Sequence, residues 1–391
     1  MPRVLHVNDF PLSFGGGTEV IIRRTIGLLE HAGWETRLFT SDDLPDSRTT
    51  ARRYVSNPVA ADALTKALDT FRPEVVHIHN FYHRLSPSVL TAIDRYRETH
   101  PLRVVMTAHD FHFVCPNSGG TWFPRRGGRL PIDASRVRDW SYLISRKWDH
   151  RGRLHSWLRV MQHVWNYRWG RKRRVPDVVI SPSVYLEEML RPIVRATRVI
   201  PHPAPKWDTP PQAARPSTLT WLFVGRLEPE KGLSDLLESL ASPLPGELIV
   251  VGDGSDRTRC ESIVRERGWG DRVRFRGKIP HSEVANAISG AHVLVAPSQV
   301  PESYGLSIAE ALSLGTNVLA TDLGGSRETI ESAKTGFLFK QGDSGELAER
   351  INQIEAAFRD GSLNRFELSA LFAERSEEHY LHQILDAYRP G

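Results

Sequence analysis

The chain has 391 residues, 40% of them hydrophobic and 25% charged, with 51 Lys+Arg against 46 Asp+Glu and a pI near 9.3. That composition excludes wholesale disorder and leaves room for two hydrophobic cores, and no apolar run reaches the length of a membrane-spanning helix. Two widely separated cysteines, Cys115 and Cys260, exclude a disulfide framework and a cysteine zinc site and fit a reducing cytoplasm. The opening MPRVLHVNDF enters a strand-like segment without the charged-then-apolar layout of a signal peptide.

Short apolar runs recur along the chain, separated by stretches of helical period. In the first half they are 3–7, 36–40, 75–79, 104–108, 178–181 and 198–200. In the second they are 221–224, 248–251, 273–276, 293–296, 318–321 and 337–339. Such alternation predicts parallel sheets covered by helices on both faces, so the fold class is α/β.

After the first run comes FGGGTEV at 14–20, opening a predicted helix over 19–29. Glycines there let backbone approach a ligand, although a glycine-rich turn also simply joins strand to helix. A dinucleotide fingerprint needs GxGxxG directly after the strand; here seven residues (8–14) intervene, and GDGSDR at 252–257 lacks its third glycine. A dehydrogenase reading is therefore poor. Asp42-Asp43 reads as a loop pair, and no metal-binding Asp-x-Asp is visible.

Between Trp122 and Trp169 lie six of the ten tryptophans, and the stretch from Arg146 to Arg174 is basic, with Asp149 its single acid. Leu154, Trp157, Leu158, Met161, Val164 and Trp165 fall at helical spacing on one stripe. Two readings stand: a helix packed on the first domain with arginines on its wet face, or a patch that meets an anionic membrane surface.

Six prolines between 201 and 217 mark an inter-domain linker, since proline fixes φ and lacks an amide donor. VGRLEPEKG follows, with Arg226 at a strand's carboxyl end and Lys231 in the next loop. Both suit a pyrophosphate, though an ordinary solvated loop carries the same residues. Then comes PESYGLSIAE at 301–310. Helical spacing begins near Leu306, placing Glu302 in the loop and Glu310 on the helix. Residues eight apart on one helix would lie about 80° apart. A buried carboxylate needs hydrogen-bond donors, and for Glu310 a ribose diol or a structural ion pair would serve. Tyr304, Gly305 and Leu306 would offer helix-start amides to a phosphate.

Taken together these segments resemble the family 4 glycosyltransferases. The resemblance rests on Gly16-Gly17-Thr18-Glu19, TAHDFHFVCP with His109, VGRLEPEKG, VVGDG with Gly252, VRFRGKIP, PSQVPESYGLSIAEALSLGTNVLATDLGGSRETI with Gly324-Gly325, and TGFLF. They occur in the family's order over nearly the whole chain. The resemblance implies a GT-B fold, two doubly wound Rossmann-like domains facing each other across a cleft. Its boundaries would be 1–200 plus 376–391 for the acceptor-side domain, 201–217 for the linker and 218–375 for the nucleotide-sugar domain. It implies a retaining, metal-independent transferase that needs no cofactor and takes a GDP- or UDP-linked sugar. Catalytic roles would fall to Glu302, His109, Arg226 and Lys231. Donor contacts would come from Gly16, Gly17, Arg226, Lys231, Gly252, Lys278, Ile279, Glu302, Tyr304, Gly305, Leu306 and Glu310. Asp110, Phe111, His112 and Asn117 are acceptor-side candidates, and 119–140 matches no part of the family pattern. The expected partners are the nucleotide sugar and a hydroxyl acceptor, with no nucleic acid. The expected setting is glycan or natural-product assembly in the cytoplasm, with peripheral contact at the membrane's inner face through the Trp/Arg stretch. The rival readings are a sugar-nucleotide epimerase of the same fold and a non-catalytic nucleotide-sugar or membrane-binding module.

Overall fold

The computed structural model describes residues 1–45, 56–125, 128–136, 138–203, 214–333, 336–363 and 375–389. Positions 204–213 of the proline-rich linker lie outside these. The chain divides into two compact units: Met1–His202 with Glu377–Gly391, and Pro203–Ser376.

The first unit carries strands β1 (Arg3–Val7), β2 (Glu35–Phe39), β3 (Val75–Ile78), β4 (Arg103–Thr107), a small antiparallel hairpin of β5 (Thr121–Trp122) and β6 (Leu130–Pro131), β7 (Val178–Ser181) and β8 (Thr197–Val199). Its main sheet runs β2-β1-β3-β4-β7-β8, parallel throughout. The second unit carries β9 (Thr220–Val224), β10 (Glu247–Val251), β11 (Val273–Gly277), β12 (Val293–Ala296), β13 (Asn317–Thr321) and β14 (Phe337–Phe339), in the order β11-β10-β9-β12-β13-β14. Each order reverses once, between β1 and β3 and between β9 and β12. Side loops diverge at such a switch point, leaving a crevice at the strands' carboxyl ends.

The apolar runs are continuous because both faces of each sheet are covered. Residues alternate between two cores. Leu5, Val7, Val76, Ile78, Val104 and Met106 point into one cluster; Val4, Val75, Val105, Val178 and Ile180 point into another. The second unit repeats this, with Trp221, Phe223 and Val250 on one face and Leu222, Val251 and Leu294 on the other.

Helices fill the crossovers. In the first unit they are α1 (Gly17–His31), α2 (Pro58–Phe71), α3 (Ser88–Tyr96), α4 (Trp140–Ser145), α5 (Arg153–His163) and α6 (Val184–Leu190). In the second they are α7 (Leu233–Ser239), α8 (Arg257–Glu266), α9 (His281–Gly290), α10 (Leu306–Ser313), α11 (Gly325–Ala333) and α12 (Ser344–Arg359). Local chemistry sets several starts: Asn57, Ser183 and Asp343 cap α2, α6 and α12 by accepting from amides three residues on. Asp42-Asp43 lies in a 3-10 turn whose Asp43 carboxylate accepts from Thr40 N.

The last helix, α13 (Glu377–Tyr388), belongs to the first unit. It packs Tyr380, Ile384, Ala387 and Tyr388 against one sheet face. Polar ties fix its register: Tyr380 Oη and Thr25 Oγ1 share a hydrogen bond of 2.9 Å, Tyr388 Oη meets His77 Nδ1 at 2.8 Å, and Arg24 pairs with Glu377 at 2.9 Å.

Three details differ from the sequence reading. Helix α1 begins at Gly17, two residues before the expected start, because Gly16 supplies the extended cap residue and Glu19 then sits in the first turn. The hairpin β5–β6, within the unmatched 119–140, has strands of two residues, too short to show a period. The helix expected to pack on the first domain does so, but the tryptophan stripe is not its packing face. Helix α5 packs through Ser156, Val160 and His163. Leu154, Trp157, Leu158 and Trp165 are 53–69% exposed, and of the expected stripe Val164 alone is buried. The inner face is held by hydrogen bonds: Ser156 Oγ accepts from the amides of Trp148 and Asp149 at 3.0 Å and donates to Gly152 O. The buried Asp149 binds Arg151 and Arg159 at 2.8 and 2.6 Å.

Replacing Tyr388 by Phe leaves a buried His77 nitrogen unpaired, which costs about 1–3 kcal/mol. The expected outcome is a lower urea midpoint for the first unit with the second unit's transition unmoved, read by hydrogen exchange across the two units.

Candidate functional site

In the second unit the sequence-marked residues gather at the switch point. β9 ends at Val224 and leads through Gly225 to Arg226; β12 ends at Ala296 and leads through Pro297 and Ser298 to Glu302. These strands are hydrogen-bonded neighbours, so their loops emerge side by side. Lys231 closes a short 3-10 turn, Pro229–Lys231, after β9, and its Nζ reaches Glu302 Oε1 at 2.7 Å. Ser298 Oγ donates to the same oxygen at 2.7 Å. Burial pushes the Glu302 carboxyl up, but the Lys231 charge, the two hydrogen bonds and the more distant Arg226 outweigh it, holding the group below the usual glutamate range. Glu302 is thus an anion at neutral pH. Arg226 is largely exposed, 3.9 Å from Glu230.

Glycine makes this crowding possible. At Gly232, φ +73°, an added Cβ would lie 2.0 Å from Pro297 O; at Gly252, φ +136°, it would lie 1.8 Å from Gly225 O. Gly324 is comparable: its backbone pairs with Glu302 in an isolated parallel bridge, and a Cβ would meet Glu302 O at 2.6 Å. The next amide, Gly325 N, donates to Glu302 O at 2.8 Å.

Two helix N-termini therefore stand beside Glu302. Helix α10 starts from Gly305 in the left-handed region, φ +81°, and α11 starts at Gly325. Their partial positive charge suits an anion, as do Lys231 and Arg226, although the first amide of α11, Gly325 N, is taken by Glu302 O. Tyr304 is buried, its carbonyl accepting from Thr329 Oγ1 at 3.1 Å. Glu310 is on α10 and only 8% exposed, whereas Glu302 is in the loop, as the spacing predicted. Lys278 and Ile279 follow β11, exposed and half-buried.

In the first unit Gly16 and Gly17 sit at the start of α1, after the loop following β1, and His109 sits on the loop following β4. A Cβ at Gly16 would lie 2.6 Å from Glu19 Oε2 and would displace that carboxylate. The buried Glu19 in turn accepts from Asn8 Nδ2 at 3.1 Å. His109 ends a chain of imidazoles that the sequence reading missed. His6 Nδ1 meets His79 Nε2 at 3.1 Å, and His79 Nδ1 meets His109 Nε2 at 3.0 Å. His202 stacks on His109 at 5.5 Å. Every neutral imidazole offers one donor and one acceptor, so the tautomer of His79 fixes that of His109. Burial lowers the pKa of all four, to about 3 for His6 and His202. His6, His77 and His79 bring one nitrogen each within 4.8 Å of the others. However, both His77 nitrogens bond Tyr388 and Thr107, and His6 Nε2 is the only nitrogen of the three without a partner among the described residues. The signal was present as VHIHN after LHVN, histidines alternating in strands.

Asp9 was missed as well. Its buried carboxylate accepts from the amides of His83, Arg84 and Leu85, tying the loop after β3 to β1. Of the acceptor-side candidates, Phe111 is a core residue, 2% exposed, lying under Gly120, which removes it from any ligand-facing surface. His112, 8% exposed, stacks on Tyr82 at 3.6 Å. Asp110 and Asn117 are half-buried. Burial is the main influence on Asp110, whose carboxyl is pushed up to about 6 while it accepts from Tyr82 Oη at 2.7 Å.

Comparison with known proteins points the same way. Residues 207–360 match the family model described as glycosyl transferases group 1. Among curated proteins, 2-deoxystreptamine N-acetyl-D-glucosaminyltransferase from Streptomyces fradiae is 35% identical over 174 residues, 40% of this chain and 41% of that one. The match spans between 35 and 41% of the length of the first curated relatives. Solved structures match along the whole chain. Sucrose-phosphate synthase from Thermosynechococcus elongatus gives a TM-score of 0.72 at 22% identity over 100% of this chain and 98% of the other. HepE from Anabaena, in complex with UDP, gives 0.65 at 18% over 99% of each. At such identities the likeness shows the fold, which is GT-B.

Seven histidines with lowered pKa, the buried His6, His77, His79, His112, His163 and His202 and the half-buried His109, lie in the first unit. Below the usual value of 6.5 the unfolded chain binds protons that the folded unit refuses. Stability is therefore present above that pH and lost as pH falls, by about 1.4 kcal/mol per pH unit for each excess proton. Asp110, with its raised pKa, works the other way between 3.8 and about 6, one group against seven. Hydrogen exchange between pH 7.5 and 5 should show the first unit opening before the second; equal loss in both units would contradict this.

Proposed function

We propose that the protein is a retaining glycosyltransferase that moves a sugar from a nucleoside-diphosphate sugar to a hydroxyl of a glycan, glycolipid or natural product. The observation that carries the reading is the pairing of Lys231 with an ionised Glu302 at the β9/β12 switch point, within the segment that matches the group 1 family model. The UDP named with HepE makes UDP-sugars the first donors to test, with GDP-sugars beside them.

In this reading Arg226, Lys231 and the amides at 304–306 receive the diphosphate. Departure of the nucleoside diphosphate leaves charge on the β-phosphate, which fixed cations and helix amides stabilise without a metal or other cofactor. Glu302, held in place by Ser298 and Lys231, faces the sugar near its anomeric carbon. Glu310 accepts from the ribose hydroxyls, and the backbone at Lys278 and Ile279 holds the base beside Gly252. The roles that the family resemblance gives Gly16, Gly17 and His109 belong to the same proposal, as do Asp110, His112 and Asn117 for the acceptor. In the mechanism that the family resemblance implies, the acceptor attacks from the face the leaving group vacates and passes its proton to the departing phosphate, which keeps the anomeric configuration. The reading sets this work in the cytoplasm, in line with two buried free thiols.

Incubation with a panel of sugar nucleotides, following nucleoside diphosphate release, tests the proposal. Release that depends on added acceptor is expected; isomerised donor without release would instead make the protein an epimerase, and binding with neither would make it a module. Glu310→Ala should weaken donor binding about tenfold or more, the scale of losing a charge-assisted hydrogen bond; unchanged affinity would sink the ribose assignment. Replacing both Arg226 and Lys231 by Ala should lower turnover on the order of a hundredfold or more, and a near-normal rate would remove the diphosphate role.

A further inference from the structure

The outward stripe of α5 is the largest feature that the transfer reading leaves unused. Leu154, Trp157 and Leu158 on α5 and Trp165 and Trp169 in the following turn (Val164–Trp169) are each 53–69% exposed. They are half of the large apolar side chains left exposed among the described residues. Their spacing of three or four puts them on one side, opposite the buried Ser156, Val160 and His163. Trp165 and Trp169 pack edge to face at 6.1 Å, so the exposed surface is itself ordered.

Charge distinguishes what would cover it. Residues 146–174 hold ten Lys/Arg and one acid, Asp149; the remaining chain holds 41 Lys/Arg against 45 Asp/Glu. The basic balance of the protein thus comes from this one stretch. That single acid is buried and neutralised by Arg151 and Arg159, leaving no outward negative charge within the segment. Arg153, Arg171 and Arg174 are exposed around the stripe. Tryptophan and leucine flanked by arginine match the layered chemistry of a bilayer interface, where rings sit at headgroup depth, aliphatic chains below them and cations against anionic headgroups. A nucleic acid would stack on the tryptophans, but it offers nothing to Leu154 and Leu158. No helix among the described residues is long and apolar enough to cross a membrane, so the contact is peripheral.

We infer that the α5 face and the turn after it, 153–174, dock the protein on an anionic lipid bilayer, with Trp157, Trp165 and Trp169 entering the interface. The docking needs no transfer activity and stands or falls apart from it.

The test is co-sedimentation of the full chain with vesicles of phosphatidylcholine alone or with 30% phosphatidylglycerol, at about 50 and 300 mM salt; these are chosen conditions, bracketing a strong and a weak electrostatic regime. Binding to the phosphatidylglycerol vesicles is expected, weakened tenfold or more at high salt, with tryptophan emission quenched by bromine-labelled acyl chains. Trp157→Ser with Trp165→Ser and Trp169→Ser should abolish the quenching and weaken binding at least tenfold. Arg153→Glu with Arg171→Glu and Arg174→Glu should remove the preference for anionic lipid. Both variants change exposed side chains, and an unchanged thermal midpoint verifies their folding. Absence of vesicle binding at low salt overturns the inference, as does binding indifferent to the tryptophans. So does a wild-type dimer that the tryptophan variant dissociates without any vesicle binding, or an RNA oligonucleotide that binds where vesicles do not.

Discussion

Everything placed around Glu302 depends on how closely the loops after β9 and β12 approach one another. The sheet sets its two strands side by side, and three glycines then let backbone touch backbone: Gly232 against Pro297, Gly252 against Gly225, and Gly324 against Glu302. A side chain at Gly232 would push the loops after β9 and β12 apart and disturb the 2.7 Å contact between Lys231 and Glu302. The ion pair is therefore a consequence of backbone geometry, and Ser298 completes it by occupying the carboxylate's second demand for a donor. A carboxylate so held is ionised before any ligand arrives, and in the proposed reading an incoming diphosphate would find Lys231 already in position, shared with Glu302.

Much of this was legible in the sequence because it rests on local rules. The twelve main strands were visible as apolar runs, since strands buried on two faces need no polar alternation. The loop position of Glu302 and the helical position of Glu310 followed from where the period changes at Leu306. What was not legible depends on contacts distant in sequence. Ser298 is one serine among many until the fold brings its hydroxyl to Glu302. The histidine chain joins His6, His79 and His109 from three strands or the loops after them, and strand order is not written in any one of them. Phe111 looked like a ligand-facing residue because its neighbours Asp110 and His112 are polar, yet an aromatic ring under Gly120 is core.

The imidazole chain raises a constraint of its own. Three neutral rings, His6, His79 and His109, are joined by hydrogen bonds and transmit tautomer rather than charge. The tautomer of His109 is set by which way His79 is oriented. Tyr388, from the last helix, fixes neighbouring His77 from the other side, which makes α13 part of the setting of a loop nearly three hundred residues earlier in the chain.

Helix α5 shows how amphipathic pattern alone can mislead. Its apolar stripe is the usual signature of a face turned inward, but the competition for the inward side was decided by hydrogen bonds. Ser156 satisfies two amides of the segment before the helix and caps itself on Gly152, and Asp149, once buried, needs both Arg151 and Arg159 to offset its desolvation. Rotating the helix to bury Trp157 and Trp165 would expose those amides and break the Arg159 bond, leaving a buried carboxylate under-paired. Such a loss offsets what burying the two rings would return. The tryptophans are outside because the polar network beneath them is satisfied only in that orientation.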